Sequence, residues 1–195
     1  MNEIVLASNN KGKLAELSAL LSNFSLLSLE DVGFNSVIEE PYETFEQNAY
    51  QKASTLFQFC GKNVLADDSG LCVNALNDAP GVHSAYFGGE PRSDEKNNHH
   101  LLESMQGQLD RSAFYKAVLC LIWQGKTYFF EGICEGKISY ERQGSGGFGY
   151  DPLFIPNDYD QSFGELPSLV KNRISHRAKA TEKLVAFLKE QTNSH

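Results

Sequence analysis

The fold class follows from Ile4-Val5-Leu6-Ala7-Ser8-Asn9-Asn10-Lys11-Gly12-Lys13, near the start of the chain. The stretch opens with a compact apolar run and continues with small, polar and basic residues. Leucines then recur at helical spacing, at positions 14, 17, 20 and 21. The pattern predicts a strand, a polar turn and a helix.

The rest of the chain keeps strands and helices mixed. Thr44-Phe45-Glu46-Gln47 has the capping-box pattern, and apolar residues from Phe45 to Cys60 line one face of the helix that follows. Further helices are predicted after Ser93 and after Ser175. Strands are predicted at 26–29, 64–66, 71–75, 113–123 and 127–133, with an acidic turn at 67–70. The sequence therefore predicts one α/β domain with a mixed sheet, covering residues 1–195.

Composition bounds the function. The 195 residues carry 17 Lys and Arg against 25 Asp and Glu, and the net charge of −8 argues against sequence-independent binding to nucleic acid polymers or anionic membranes. The four cysteines, at 60, 72, 120 and 134, are far apart and are expected to be buried, reduced thiols. No signal peptide or membrane-spanning stretch is apparent, so a cytoplasmic protein is expected.

The polar turn from Ser8 to Lys13 is the first candidate site. Because a strand ends and a helix begins there, free backbone N–H groups and lysines are expected to point at one spot, as in phosphate sites. The Walker pattern is absent, and a plain polar turn is the alternative interpretation.

The second candidate is Asp67-Asp68, directly after an apolar strand. Adjacent carboxylates repel each other unless a cation or a catalytic role compensates. Mg²⁺ takes oxygen ligands and usually keeps waters and substrate phosphates, and Glu39-Glu40 offers a second source of carboxylates. The alternative is an Asx-type turn at Asp68, with the glutamates on a solvated loop.

Two further stretches are suited to a nucleotide base. Gly144 to Gly149, followed by Tyr150-Asp151, combines flexible backbone with aromatic rings and a carboxylate. A glycine hairpin with its aromatics in the core is the alternative. Ser175-His176-Arg177 begins the last helix, where donors could face a purine carbonyl or an anion, although a histidine there is more often a capping or core residue. The other histidines, at 83, 99, 100 and 195, have no metal-ligand spacing.

Taken together, these stretches resemble the inosine/xanthosine triphosphate pyrophosphatase family from the first strand to the last helix. The resemblance rests on five motifs in one order: Ser8-Asn9-Asn10-Lys11-Gly12-Lys13, Thr44-Phe45-Glu46-Gln47-Asn48-Ala49, Asp67-Asp68-Ser69-Gly70-Leu71, Gly146-Gly147-Phe148-Gly149-Tyr150-Asp151-Pro152 and Ser175-His176-Arg177. It implies Mg²⁺-dependent hydrolysis of non-standard purine nucleoside triphosphates (ITP, dITP, XTP) to the monophosphate and pyrophosphate. It also implies an elongated, two-lobed, mixed-sheet fold with the nucleotide in the central cleft, and a homodimer.

The resemblance implies roles for individual residues. Glu40 and Asp68 would bind Mg²⁺, Asp68 would also activate the attacking water, and Asp67 would support the metal shell. Lys52 would add charge near the reacting phosphoryl group. The implied substrate-binding residues are Ser8, Asn9, Asn10, Lys11, Gly12 and Lys13 at the triphosphate, Ser69, Phe148 stacked on the base with Gly149, Tyr150 and Asp151 beside it, and Lys171, His176 and Arg177, the last two near the base edge.

Three positions depart from the family pattern. Gln47 stands where a second glutamate is common, and capping of its helix is the favoured interpretation. Tyr86 replaces a frequent arginine, and residues 167–170 replace a polar, acidic stretch before Lys171. Two other functions stay open: a Maf-like pyrophosphatase acting on other nucleotides, and a nucleotide-binding sensor without turnover.

Overall fold

The structure, a computed structural model, describes residues 3–193, so His195 lies outside the described residues. The strands are β1 (Glu3–Leu6), β2 (Ser25–Leu27), β3 (Asn63–Val73), β4 (Ser112–Trp123), β5 (Lys126–Ile138) and β6 (Phe154–Pro156). The helices are α1 (Lys11–Leu20), α2 (Phe45–Cys60), α3 (Asp94–Ser104), α4 (Ser168–Ile174) and α5 (His176–Asn193).

The strands form one mixed sheet in the order β2-β1-β3-β4-β5-β6. Strand β1 is parallel to both β2 and β3, whereas β5 and β6 are antiparallel. The predicted α/β class with a mixed sheet is confirmed.

The chain forms two compact units, each with its own apolar core. The first unit contains residues up to 68, residues 117–132 and residues from 177 onward, and its core includes Leu17, Leu65 and Trp123. The second unit contains residues 69–116 and 133–176, and its core includes Leu71, Phe154 and Phe163. The single domain over residues 1–195 stays a prediction.

Side-chain caps explain where the helices of the first unit begin. The Asn10 Oδ1 accepts hydrogen bonds from the backbone N–H groups of Gly12 and Lys13, at 3.0 and 3.2 Å, and starts α1. The Thr44 Oγ1 accepts the backbone N–H of Gln47 at 3.2 Å and donates to the Gln47 Oε1 at 2.9 Å, at the start of α2. Thr44 is thus the capping residue, the Gln47 side chain bonds its hydroxyl, and a capping role for Gln47 itself stays a prediction.

The predicted pair of strands around an acidic turn at 67–70 is wrong, because β3 runs unbroken from Asn63 to Val73. Asp67 and Asp68 lie inside this strand, 2% and 4% exposed. They are tolerated there because cationic side chains from distant parts of the chain pair with them. The pattern also gave no sign of β6 or α4.

The cysteines are all free thiols, as expected. Cys72, Cys120 and Cys134 are buried, and Cys60 is half-buried. Within residues 3–193, no helix combines the length and the apolar character that a membrane span requires.

Candidate active site

Two lysines from different helices of the first unit converge on the backbone carbonyl oxygen of Asp67. The Lys52 Nζ, on α2, donates to it at 2.9 Å, and the Lys13 Nζ, on α1, at 3.4 Å. Lys52 is 6% exposed, and Lys13 stands at the first turn after the capped polar loop. The first turn of α1 and the buried face of α2 therefore bring two positive charges to one point of β3.

The Asp67 carboxylate is fully paired. Its Oδ1 lies 3.0 Å from the Lys13 Nζ, and its Oδ2 accepts from the Arg177 Nε at 2.5 Å. The Arg177 guanidinium also donates to Glu16 through Nη1. Burial opposes ionisation, but Arg177 and Lys13 hold the pKa of Asp67 well below its usual range. Asp67 is therefore a permanently charged anchor.

Asp68 and Glu40 share the other lysine. The Lys52 Nζ lies 3.1 Å from the Asp68 Oδ1 and 3.0 Å from the Glu40 Oε2. Burial raises the pKa of Asp68 to about 6, against the attraction of Lys52 and Lys13 and with the help of the neighbouring Glu40 charge. Burial opposes the charge on Lys52 as well, yet the two carboxylates raise its pKa. We call Lys13, Lys52, Asp67, Asp68 and Arg177, with Glu16 and Glu40, the charged cluster.

A divalent cation fits the donor set of the charged cluster. The Asp68 Oδ2 is buried and has no hydrogen-bond partner among the described residues, and the Glu40 carboxylate meets the same ammonium group. In residues 3–193, no group of three or more His, Cys, Asp or Glu side chains forms a ready-made metal cage. Two protein carboxylates with the remaining positions left to waters and phosphates is the manner in which Mg²⁺ is usually bound.

The polar turn differs in one respect from its prediction. The backbone N–H groups of Asn10, Gly12 and Lys13 are not free, because the Ser8 Oγ accepts the first at 3.1 Å and the Asn10 Oδ1 accepts the other two. The Asn9 and Lys11 side chains are exposed. The turn therefore brings Lys13 to the charged cluster, while these three backbone N–H groups donate to side chains of the turn itself.

In the second unit, the glycine-rich segment (residues 144–151) is built around a buried ion pair. The Asp151 Oδ2 accepts from the Lys171 Nζ at 2.5 Å and from the backbone N–H of Phe148 at 2.8 Å. The Lys171 ammonium lies 4.6 Å from the ring centroid of Phe148 and 5.5 Å from that of Phe163. Gly147 has a φ of +72°, and a Cβ there would collide with the Asp151 carboxylate. Three predicted site residues, Phe148, Asp151 and Lys171, thus meet in one place.

Three other predicted site residues lie in or beside the core of the second unit. Tyr150 is 3% exposed, and its hydroxyl donates to the Ser84 carbonyl oxygen at 2.8 Å. His176 is 4% exposed and stacks on Tyr115, with ring centroids 4.6 Å apart and planes at 8°. Ser69 is half-buried in β3. Their contacts with a nucleotide stay predictions, as does the role of Arg177 at the base edge.

Sequence reasoning passed over Asn48, although the residue lies inside a quoted motif. Its amide bonds both backbone polar groups of one residue: the backbone N–H of Tyr42 donates to its Oδ1 at 2.9 Å, and its Nδ2 donates to the Tyr42 carbonyl at 2.8 Å. Asn48 is 2% exposed and lies one helical turn before Lys52. It fixes the loop that carries Glu40. A buried asparagine on an apolar helix face was the available signal.

The two remaining departures from the family pattern, at Tyr86 and at residues 167–170, lie in the second unit. Tyr86 is 54% exposed in the second unit. Pro167 precedes α4, where Leu169 is 77% exposed and Lys171 is buried. The altered stretch therefore does not prevent Lys171 from reaching Asp151.

Comparisons with known proteins identify the family of the chain. The family model described as the Ham1 family matches residues 4–187. A protein of Flavobacterium johnsoniae named dITP/XTP pyrophosphatase is 43% identical, over 95% of this chain and 97% of its own length. One of the same name from Nitrosomonas europaea is 46% identical, over 97% and 96%. The solved structure of a Ham1 protein from Coxiella burnetii superposes with a TM-score of 0.90 at 38% identity, covering 97% of this chain and all of that one (100%). On fold, motifs and length alike, the chain belongs to the Ham1 family.

Proposed function

We propose that this protein hydrolyses non-standard purine nucleoside triphosphates, ITP, dITP and XTP, to the monophosphate and pyrophosphate, and so removes deaminated purines from the nucleotide pool. The observation that carries the proposal is the charged cluster, in which two lysines and two carboxylates meet at one point of β3. The names of the Flavobacterium and Nitrosomonas relatives support the same substrate class.

The charged cluster supplies what phosphoryl chemistry needs, which is charge neutralisation and positioning. Lys13 and Lys52 would hold the triphosphate near Asp68, with Ser8, Asn9, Asn10, Lys11 and Gly12 lining the turn that leads to Lys13. Glu40 and Asp68 would hold Mg²⁺. When bound, the ion would neutralise phosphate charge and make water more acidic.

Asp68 is the proposed general base. In the metal-free protein burial raises the pKa of the Asp68 carboxyl to about 6, so the group is mostly ionised at neutral pH and can accept a proton. Asp67 cannot serve in this way, because its pKa is held far below the working range by Arg177 and Lys13. Two adjacent aspartates thus have different roles: Asp67 anchors the lysines, and Asp68 takes the proton.

The glycine-rich segment is the proposed base-binding element. Phe148 would stack on the purine, with Gly149, Tyr150 and Asp151 beside it, and Lys171 is held against the Phe148 ring by Asp151. Ser69, His176 and Arg177 are the remaining proposed contacts. Donors near the base edge would favour the 6-oxo group of hypoxanthine and xanthine over the amino group of adenine, which would leave them unpaired.

The family resemblance also supports a cytoplasmic homodimer that acts on small molecules. The net charge of −8 agrees with a protein that binds neither nucleic acid polymers nor anionic membranes. Sedimentation of the purified protein at several concentrations would test the dimer.

The deciding experiment is pyrophosphate release from inosine, xanthosine, guanosine and adenosine triphosphates, with Mg²⁺ and with a chelator. We expect Mg²⁺-dependent release that strongly favours the first two. Release that is equal for adenosine triphosphate would point to a Maf-like or other nucleotide pyrophosphatase. Tight nucleotide binding without any release would point to the sensor.

A further inference from the structure

Helix α3 holds both backbone polar groups of Gly149, in the glycine-rich segment. The backbone N–H of Gly149 donates to the Asp94 Oδ2 at 2.7 Å. The Asn98 Nδ2 donates to the Gly149 carbonyl oxygen at 2.8 Å. Asp94 and Asn98 are one helical turn apart, so their side chains lie on the same face of α3.

The two holding side chains are themselves fixed. Asn98 is 1% exposed, and its Nδ2 also donates to the Asp94 carbonyl at 2.5 Å. Asp94 opens α3 directly after Ser93, whose side chain accepts the backbone N–H of Lys96. The N–H and C=O groups of Gly149 are therefore bonded to the first turns of a capped helix, through a carboxylate and a buried amide.

Gly149 is a place where the backbone needs such support. It has a φ of +62° and stands between Phe148 and Tyr150, with Gly146 and Gly147 just before it. Glycines leave a chain many conformations, and a ligand that must order them loses affinity. Holding the N–H and the C=O of Gly149 fixes the two peptides that join Phe148, Gly149 and Tyr150.

We propose that Asp94 and Asn98 are positioning residues for base recognition: they preorganise the Phe148-Gly149-Tyr150 backbone before a nucleotide arrives. The inference rests on the proposed base-binding role of the glycine-rich segment. It assigns the two residues no contact with substrate, so they act on the affinity for the base and leave the triphosphate chemistry of the charged cluster unchanged.

The test compares Asp94→Ala with Glu95→Ala. Both changes remove one acidic side chain from the first turn of α3, so both weaken the helix terminus alike, but only Asp94 bonds Gly149. For Asp94→Ala we expect the KM for inosine triphosphate to rise about tenfold with kcat unchanged, because a hydrogen bond to a charged acceptor is lost. For Glu95→Ala we expect both constants to stay at the wild-type values.

A probe without a base separates positioning from general damage. Inorganic tripolyphosphate contains the phosphate part of the substrate alone, and we expect its inhibition constant to be the same in Asp94→Ala and wild type. Asp94→Asn should restore most of the KM, since its amide oxygen can still accept the Gly149 N–H. Asn98→Asp, which keeps the volume but places an oxygen against the Gly149 carbonyl, should raise the KM even if Asp94→Ala does not fold.

Equal effects of Asp94→Ala and Glu95→Ala would overturn the inference, and so would a parallel loss of tripolyphosphate inhibition. Phe148→Ala shows which proposal has failed. If that variant raises the KM while Asp94→Ala and Asn98→Asp do not, only the positioning role is wrong. If none of the three raises the KM, the base-binding role of the segment is wrong.

Discussion

The charged cluster of the first unit and the glycine-rich segment of the second are held together in opposite ways. In the charged cluster, ionised side chains bond one another: Asp67 pairs with Lys13 and Arg177, and Asp68 with Lys52. The glycine-rich segment has one such pair, Asp151 with Lys171, but elsewhere in it side chains bond the backbone, as Asp94 does at Gly149. Removing one charge from the cluster strands a buried partner, whereas removing one bond from the segment loosens a chain that is still anchored nearby. Substitutions in the charged cluster should therefore reduce activity or stability more than substitutions in the glycine-rich segment.

The largest effect is expected for Asp68→Asn. The change removes the proposed base and one carboxylate for Mg²⁺ with little change of volume, so kcat should fall at least about 10³-fold while the fold is kept. Pyrophosphate release and circular dichroism measure the two quantities. Near-wild-type turnover would exclude Asp68 as the base.

Asp67→Asn tests the anchoring role. It leaves Lys13 and Arg177 without the carboxylate that both contact, and the free energy of unfolding should fall by about 3 kcal/mol. Urea unfolding provides the measurement. The matched control is Glu3→Gln, which breaks the exposed pair between Glu3 and Lys62, 2.6 Å apart, and should leave the unfolding midpoint in place. Equal losses in the two variants would remove the distinction between the buried cluster and an ordinary surface pair.

Phe148→Ala addresses the glycine-rich segment. Stacking on an aromatic ring is worth about 1–3 kcal/mol per base and does not depend on which base is stacked, so the KM should rise roughly tenfold or more for every purine alike. Steady-state kinetics with inosine and xanthosine triphosphates give the comparison. A rise confined to one of them would assign Phe148 to base selection instead.

The pKa of Asp68 predicts a pH-dependent stability in metal-free protein. Because the folded-state pKa is about 6, above the ordinary 3.8, the protonated carboxyl stabilises the fold, and this contribution is lost as the pH rises through about 6. An asparagine side chain does not titrate in this pH range. Asp68→Asn should therefore gain stability relative to wild type as the pH is raised from about 4 to about 7, measured as urea midpoints in the presence of chelator. If the difference in urea midpoint between the variant and the wild type does not depend on pH, the raised pKa of Asp68 is contradicted.

The smallest effect is expected for Gln47→Glu. Gln47 is exposed and bonds the Thr44 hydroxyl, and a glutamate can cap the helix in the same way. Neither kcat nor the Mg²⁺ concentration needed for half-maximal activity should change by more than about twofold. A clear drop in the Mg²⁺ requirement would show that a carboxylate at this position takes part in binding the ion.

Local pattern was enough to predict α2 and α5, because their apolar residues recur at the helical period, and Thr44 caps the start of α2. It failed at β3, where two neighbouring aspartates suggested a solvated turn. The partners that allow them to be buried stand far along the chain: Lys13 is 54 positions from Asp67, and Arg177 is 110 positions from it. No local window contains these contacts.

The candidate site shows the same division. The family resemblance implied Lys13, Lys52, Glu40 and Asp68 as site residues, and the structure brings them together. The sequence did not predict the residues that hold the site in shape, such as Asn48, Asp94 and Asn98. An asparagine or aspartate that bonds a distant backbone group has the same local sequence as one that faces water.

The burial of the cysteines determines how readily each thiol reacts. Burial raises the pKa of both Cys72 and Cys120 to about 12, so at neutral pH these sulfurs are almost never in the thiolate form that oxidants and alkylating agents attack. Cys134 is buried as well, which leaves Cys60 as the most accessible thiol among them. Reagents that modify thiolates should therefore react with Cys60 before the three buried cysteines.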